Sequence, residues 1–259
     1  FSGWIAGNSY RQIQGRDYQT VVVISPCHVE HFTFSSVLTE GAYATPLGTI
    51  PIDTETAKEL AAQSDLVKES EKGHFSTYQG RGEHALEVQL PFLQVALGDG
   101  FKLVPVVMGM QSWEVCKALG EALGEALKGK NALIVASTDL SHFHPYEEAR
   151  HIDSGFVELV ERFKPEEICR NLQARKVEAC GGGPVAAAML AAQELGADDI
   201  RALKYATSGD VKVGPKDSVV GYLAAVMYKK AGSGESNPGN PENPAGGQKA
   251  CITKETVSP

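Results

Sequence analysis

The sequence predicts an α/β layered domain with a central mixed sheet and helices on both faces. Three observations carry this. Tyr18 to Ser25 (YQTVVVIS) is a continuous apolar run ended by Pro26, the pattern of a strand buried on both faces. Phe101 to Met108 and Ala132 to Ser137 repeat the pattern, and helix-prone segments separate all three. Strands alternating with helical segments of ten residues or more call for a layered sheet rather than a bundle or a sandwich.

In order, residues 3 to 14 read as a helix, 18 to 25 as the first strand and 54 to 70 as a polar helix-prone stretch. A longer helix is expected from about Glu83 to Leu97, then the strand at 101 to 108. An Ala/Leu/Glu/Lys helix covers about Ser112 to Lys128, followed by the strand at 132 to 137. Helices from Tyr146 to Phe163 and Pro165 to Leu172 come next. After Gly181 to Gly183, Pro184 suits the first turn of an Ala-rich helix reaching about Leu195. Arg201 to Ser208 and Val219 to Met227 are expected to close the sheet. Residues 231 to 259 hold five Gly, four Pro and no aromatic residue, so the chain divides into a domain over 1–230 and a disordered linker or tail over 231–259.

The balance of 24 Lys and Arg against 32 Asp and Glu, net −8, with no basic cluster interleaved with aromatics, argues against a nucleic-acid partner. No apolar run approaches the ~20 residues of a membrane helix, and no signal peptide is legible, so the cytoplasm is the expected location. Five cysteines, odd in number and without a CxxC pair, argue against a disulfide framework and a thiolate zinc cage. The chain opens at Phe1 on a segment that reads like the inside of a domain, so an N-terminally truncated fragment is expected.

Ligands of such sheets bind beyond the carboxyl ends of the strands, so the polar residues that follow apolar runs are the candidates. Ser25-Pro26-Cys27-His28 follows the first run. Ser137 to His144, with Asp139, Ser141 and His142, follows the third. Cys180 with Gly181 to Gly183 precedes a helix N-terminus, where backbone amides favour a thiolate. Imidazoles, a carboxylate and a thiol from several loops are ligands that zinc, iron or copper accept. Each has a bland alternative: His28 as a strand-end histidine, Asp139 as a helix N-cap, Cys180 as an inert buried thiol. His84 and Glu87, three apart, would share a helical face beside the site, or belong to a solvated first turn. His31, His74, His144 and His151 make weaker candidates, and Cys116, Cys169 and Cys251 weaker still.

The blocks SPCH (25–28), GEHALEVQLPFL (82–93), STDLSHF (137–143) and CGGGPVAAAML (180–190), in that order, resemble the Memo family, protein B of the bacterial AmmeMemoRadiSam system. The resemblance spans about residues 1 to 228. It implies a fold similar to the class III, LigB-type extradiol dioxygenases, and one metal ion, iron or copper with zinc as a further option. By motif His28 and Cys180 match two metal ligands, and a further histidine ligand is expected upstream of Phe1. Asp139 and His142 match the block where the dioxygenase relatives place an acid-base histidine, while His84 and Glu87 match a block beside the cleft, with Cys27 and Gly181 also at its edge. The implied activity is a metal-dependent redox reaction on an unidentified substrate. The alternatives are a metal-binding or adaptor protein without turnover, whose cleft takes a peptide, copper or iron, and a metal-assisted hydrolase. An AMMECR-type domain and a radical-SAM protein are the implied partners.

Overall fold

Four consecutive aliphatic residues with no exposed surface, Val21 to Ile24, require cover on both faces of the strand that carries them, β1 (Thr20–Pro26). The computed structural model describes residues 1–210 and 214–230. Helix α1 (Gly3–Ile13) precedes β1. After it come β2 (Ser35–Val37), the hairpin strands β3 (Ala42–Thr45) and β4 (Gly48–Pro51), α2 (Thr54–Ala61) and β5 (Val67–Glu69). A second hairpin, β6 (Thr77–Tyr78) with β7 (Arg81–Gly82), leads through a 3-10 turn at Glu87–Gln89 into α3 (Leu90–Leu97). β8 (Lys102–Met108), α4 (Trp113–Ala126) and β9 (Ala132–Ala136) follow. The remainder is β10 (His142–His144), α5 (Tyr146–Glu161), α6 (Pro165–Gln173), α7 (Gly182–Glu194), β11 (Asp199–Thr207) and β12 (Val219–Tyr228).

The central sheet has the order β5-β2-β8-β1-β9. β1 pairs in parallel with both β8 and β9, while β2 runs antiparallel to β8, which makes the sheet mixed. Because successive side chains of a strand point to opposite faces, Val22 and Ile24 enter a core closed by α2, α4, α5, α6 and α7, and Val21 and Val23 enter a second core closed by α1 and α3. Each fully buried Val or Ile contributes roughly 1.5–3 kcal/mol of transfer free energy, so this one strand ties the two helical layers together.

Three expectations are corrected. The strands at 199–207 and 219–228 do not extend the central sheet. They form a separate antiparallel sheet of order β10-β12-β11, in which Asp199 pairs with Tyr228 and Thr207 with Gly221. The helix-prone stretch from 54 ends at Ala61: Ser64 Oγ accepts the Leu66 amide in a turn that redirects the chain into β5. The helix expected from Glu83 begins only with the 3-10 turn at Glu87, because the Glu83 carboxylate captures the His84 and Ala85 amides at 2.9 and 3.0 Å. The expected tail at 231–259 lies outside the described residues. Among the described residues, no helix is long and apolar enough to cross a membrane.

Helices α4 and α7 approach through Gly120 and Gly124, one turn apart on α4. A Cβ at Gly120 would stand 2.8 Å from the Leu190 side chain, and one at Gly124 2.8 Å from Cβ of Glu194. Gly120→Val should therefore lower the unfolding free energy by about 1–3 kcal/mol through overpacking, read as a reduced urea midpoint at unchanged m. An unchanged midpoint would show that the two helices have slack.

Candidate metal centre

β1 ends at Pro26, and the next two residues turn off the sheet. The Cys27 amide still bonds the Met108 carbonyl at 3.0 Å, so His28 is the first residue freed from the ladder. Its position is set by Glu83 from the distant segment after β7. One carboxylate oxygen of Glu83 accepts the His28 backbone amide, and the other lies 3.0 Å from His28 Nδ1. The same carboxylate holds the His84 and Ala85 amides, and its side chain is only 2% exposed. Ser137, at the end of β9, anchors this segment by donating to the Ala85 carbonyl at 2.7 Å while accepting from Gln89 at 2.8 Å.

Burial opposes ionisation of Glu83, but the His28 ring and the backbone amides of His28, Ala85 and His84 outweigh it, holding the carboxyl down at about 2. The His28 ring is pushed up to about 10, first by its hydrogen bond with Cys180 and then by Glu83. With Nδ1 on Glu83, the opposite ring nitrogen is the one left for the thiol. The His84 ring stacks on that of His28 at 5.2 Å and 22°, and its side chain is 64% exposed. His28, Glu83 and His84 present ligand atoms within 4.8 Å of one another, a group that could hold a metal ion.

Cys180 arrives from the loop before α7 and is fixed by its backbone. Its N–H donates to the Asp139 carbonyl at 3.1 Å and its carbonyl accepts from Gln111 Nε2 at 2.8 Å. The sulfur accepts the Asp139 amide at 3.2 Å. The amides at the start of α7 are already spoken for: Gly181 donates to Thr138 Oγ1 at 2.9 Å and Gly183 to Gln111 Oε1 at 2.7 Å. The run of glycines is steric in origin, since a Cβ at Gly181 would stand 2.1 Å from the Ser137 carbonyl oxygen and one at Gly182 2.2 Å from Leu172.

No helix follows Asp139, so it is not a helix cap. Residues 138–141 form a loop into β10, held by Leu140 and Ser141 to Gly221 and by the buried Asp153 carboxylate on the Ser141 amide at 2.9 Å. Burial raises the Asp139 carboxyl, against the pull of His142, His84 and His28, so its carboxylate senses all three rings. His142 Nε2 lies 3.9 Å from Asp139, close enough for charge interaction and too far for a hydrogen bond. His142 and Cys180 line a cleft of about 1020 Å³ with Gln111, Trp113 and Arg175.

The structure thus brings His28, His84, Asp139, His142 and Cys180 to one neighbourhood, with Gly181 as its close-packed backbone. Glu87 is exposed at the start of the 3-10 turn, which begins after His84, so the two do not share one helix. Cys27 is half-buried, with its thiol pushed up by burial, and packs against Gly73. Glu83 is the residue that sequence reasoning missed. Its signal was a carboxylate directly before His84, which read as an ordinary acidic residue of a first helical turn.

The Memo-like protein family model matches residues 1–226. A MEMO1 family protein of Methanopyrus kandleri is 34% identical over 233 residues, covering 89% of this chain and 80% of that protein. One of Saccharolobus solfataricus is 35% identical over 229 residues, covering 87% and 78%. An uncharacterized protein of Escherichia coli K12, known from a crystal structure, superposes with a TM-score of 0.44 at 14% identity over 79% of this chain and 86% of that one.

His74, a weaker candidate, has a structural role. Nδ1 meets the Tyr43 hydroxyl at 2.7 Å and Nε2 the Ser36 carbonyl at 3.2 Å, and burial pushes the ring down to about 4. The unfolded chain then binds a proton near 6.5 that the folded chain refuses. Stability from this group is complete above pH 6.5 and falls as pH drops from 6.5 towards 4, by about 2–3 kcal/mol. Urea titrations between those pH values should show that loss in the native protein and a flatter profile in His74→Asn. Equal slopes would contradict the assignment.

Proposed function

The chain belongs to the Memo-like protein family, and on that premise we propose that it binds one transition-metal ion at the cleft and uses it in a redox reaction. Two imidazoles and a thiol are a donor set that iron, copper or zinc accept, with the thiol shifting preference towards softer ions. The supporting observation is the hold on the His28 ring: Glu83 lies 3.0 Å from Nδ1, which leaves the other nitrogen free of that carboxylate, and Cys180 is near enough to raise the ring. A ligating histidine needs that arrangement, a carboxylate fixing the tautomer from behind. The Glu83 carboxylate is already saturated by four donors, three of them backbone amides. It therefore orients, while His28 and Cys180 coordinate and His84 stands within reach as a further ligand.

A bound ion would supply a site for an oxidant or an oxidisable oxygen donor. The chain's own part is protonic and positional. His142, on the cleft wall, moves a proton to or from the substrate, and Asp139 holds the ring by charge at 3.9 Å. Trp113 and Leu140 exclude water from the cleft, and Arg175 attracts an anionic substituent. A second reading, metal binding without turnover, draws on the exposure of His84. Oxygen uptake by the iron- or copper-loaded protein across a panel of oxidisable metabolites separates the two readings.

Cobalt(II) titration of the full chain tests the site itself. A near-ultraviolet sulfur-to-metal band should appear in the native protein and vanish in Cys180→Ser. Glu83→Gln should keep the band and weaken affinity by about 10–100-fold. A band surviving in Cys180→Ser, or metal uptake lost entirely in Glu83→Gln with the fold intact, would overturn the ligand assignment.

A further inference from the structure

The carboxyl of Asp153, on α5, has no exposed surface, a costly place for an acidic group unless donors meet it. Both oxygens are engaged. Oδ1 accepts the Ser141 amide at 2.9 Å and Oδ2 accepts the Tyr205 hydroxyl at 2.8 Å, with no lysine or arginine paired to the group among the described residues. Burial and this carboxyl hold the Tyr205 hydroxyl well above its ordinary range, so the phenol stays a donor. The fold also makes room: a Cβ at Gly221 of β12 would stand 1.9 Å from Oδ2 of Asp153. Gly221 grips the same loop from the other side, donating to the Ser141 carbonyl at 2.9 Å and accepting the Leu140 amide at 2.8 Å. The Ser141 hydroxyl is buried without a partner, so the hold on this residue is through its backbone.

That hold governs what lies on either side of Ser141. Before it, the Asp139 peptide meets Cys180 with both its groups: the amide donates to the sulfur at 3.2 Å, and the carbonyl accepts the Cys180 amide at 3.1 Å. After it, His142 opens β10 and lines the cleft. We propose that Asp153 is a positioning residue, which through the Ser141 amide fixes the 139–142 loop and so aims the Asp139 amide at the Cys180 sulfur and His142 at the cleft. This role rests on the reading of Cys180 as a metal ligand and adds what sets the sulfur's donor strength. An N–H directed at a ligating sulfur draws on the lone pairs that the metal shares, and such outer partners tune both affinity and electronic character. A buried acidic group kept only for packing could give way to an apolar side chain of like size. One kept for aim could not.

Cobalt(II) loading of the full chain reads the sulfur directly. Asp153→Ala should move the sulfur-to-cobalt band to longer wavelength, because a sulfur without its amide donor gives up charge more easily, and should weaken cobalt affinity about 10–100-fold. Gly221→Ala should act in the same direction with the carboxyl still present, by pushing it off the Ser141 amide. Asp153→Asn keeps an acceptor in place and should restore a band close to native, while Tyr205→Phe leaves the Ser141 bond intact and should not move it. A general loss of stability shifts no band in the folded protein. In the native chain loaded with a magnetic cadmium isotope, the Asp139 amide proton should couple to the metal through the sulfur, a reading that needs no variant to fold. An unmoved band in folded Asp153→Ala or Gly221→Ala, or a native Asp139 amide without that coupling, overturns the role of Asp153 and leaves Cys180 a ligand. A native protein with no sulfur band removes both readings together.

Discussion

A carboxylate almost wholly removed from water must be met by donors or be neutralised. Glu83 is met by the backbone of three residues and by the His28 ring. That requirement organises the site. It bends the 83–86 segment away from the helix its sequence favours, delivers His84 onto His28, and pins His28, just past the end of β1, to a segment more than fifty positions later. It also selects the tautomer of His28. No catalytic purpose need be assumed for any of this, since desolvation alone forces the arrangement, yet the arrangement is the one that prepares an imidazole for a metal.

The second half of the site has a different origin. Cys180 is placed by close packing of backbone: glycines at 181 to 183 let the start of α7 settle against the Ser137 carbonyl, Leu172 and Gln111. Gln111 and Thr138 consume amides at the start of that helix, and the remaining local donor, the Asp139 amide, points at the sulfur. A thiol fixed in this way loses little rotamer freedom on binding an ion. The carboxyl ends of β1 and β9 supply the frame, because parallel pairing in register brings Pro26 and Ser137 to the same edge.

What the sequence made legible follows from these causes. Uniform apolar runs mark β1 and β8, which are covered on both faces, and also β9; the residues after the first and third of these runs are the site residues His28, Asp139 and His142. Helices α4 to α7 show themselves by caps, prolines and composition. Strands of two to four residues such as β2, β5 and β6 have no pattern of their own and exist through pairing with distant segments. The small β10-β12-β11 sheet was misplaced because alternation of elements does not say which edge a hairpin joins. Glu83 was invisible because its importance lies in burial, and a charged residue beside a histidine reads as solvated until the fold covers it.

The account's central claim is that a single ion sits between His28 and Cys180, with Glu83 behind the histidine rather than on the metal. The most direct measurement is an anomalous difference map at the zinc edge from crystals of the metal-loaded protein. The expected result is one peak about 2.0–2.1 Å from a His28 ring nitrogen and about 2.3 Å from the Cys180 sulfur, with Nδ1 still on Glu83. A peak bonded to the Glu83 carboxylate and His84, with the Cys180 sulfur outside coordination distance, would contradict it.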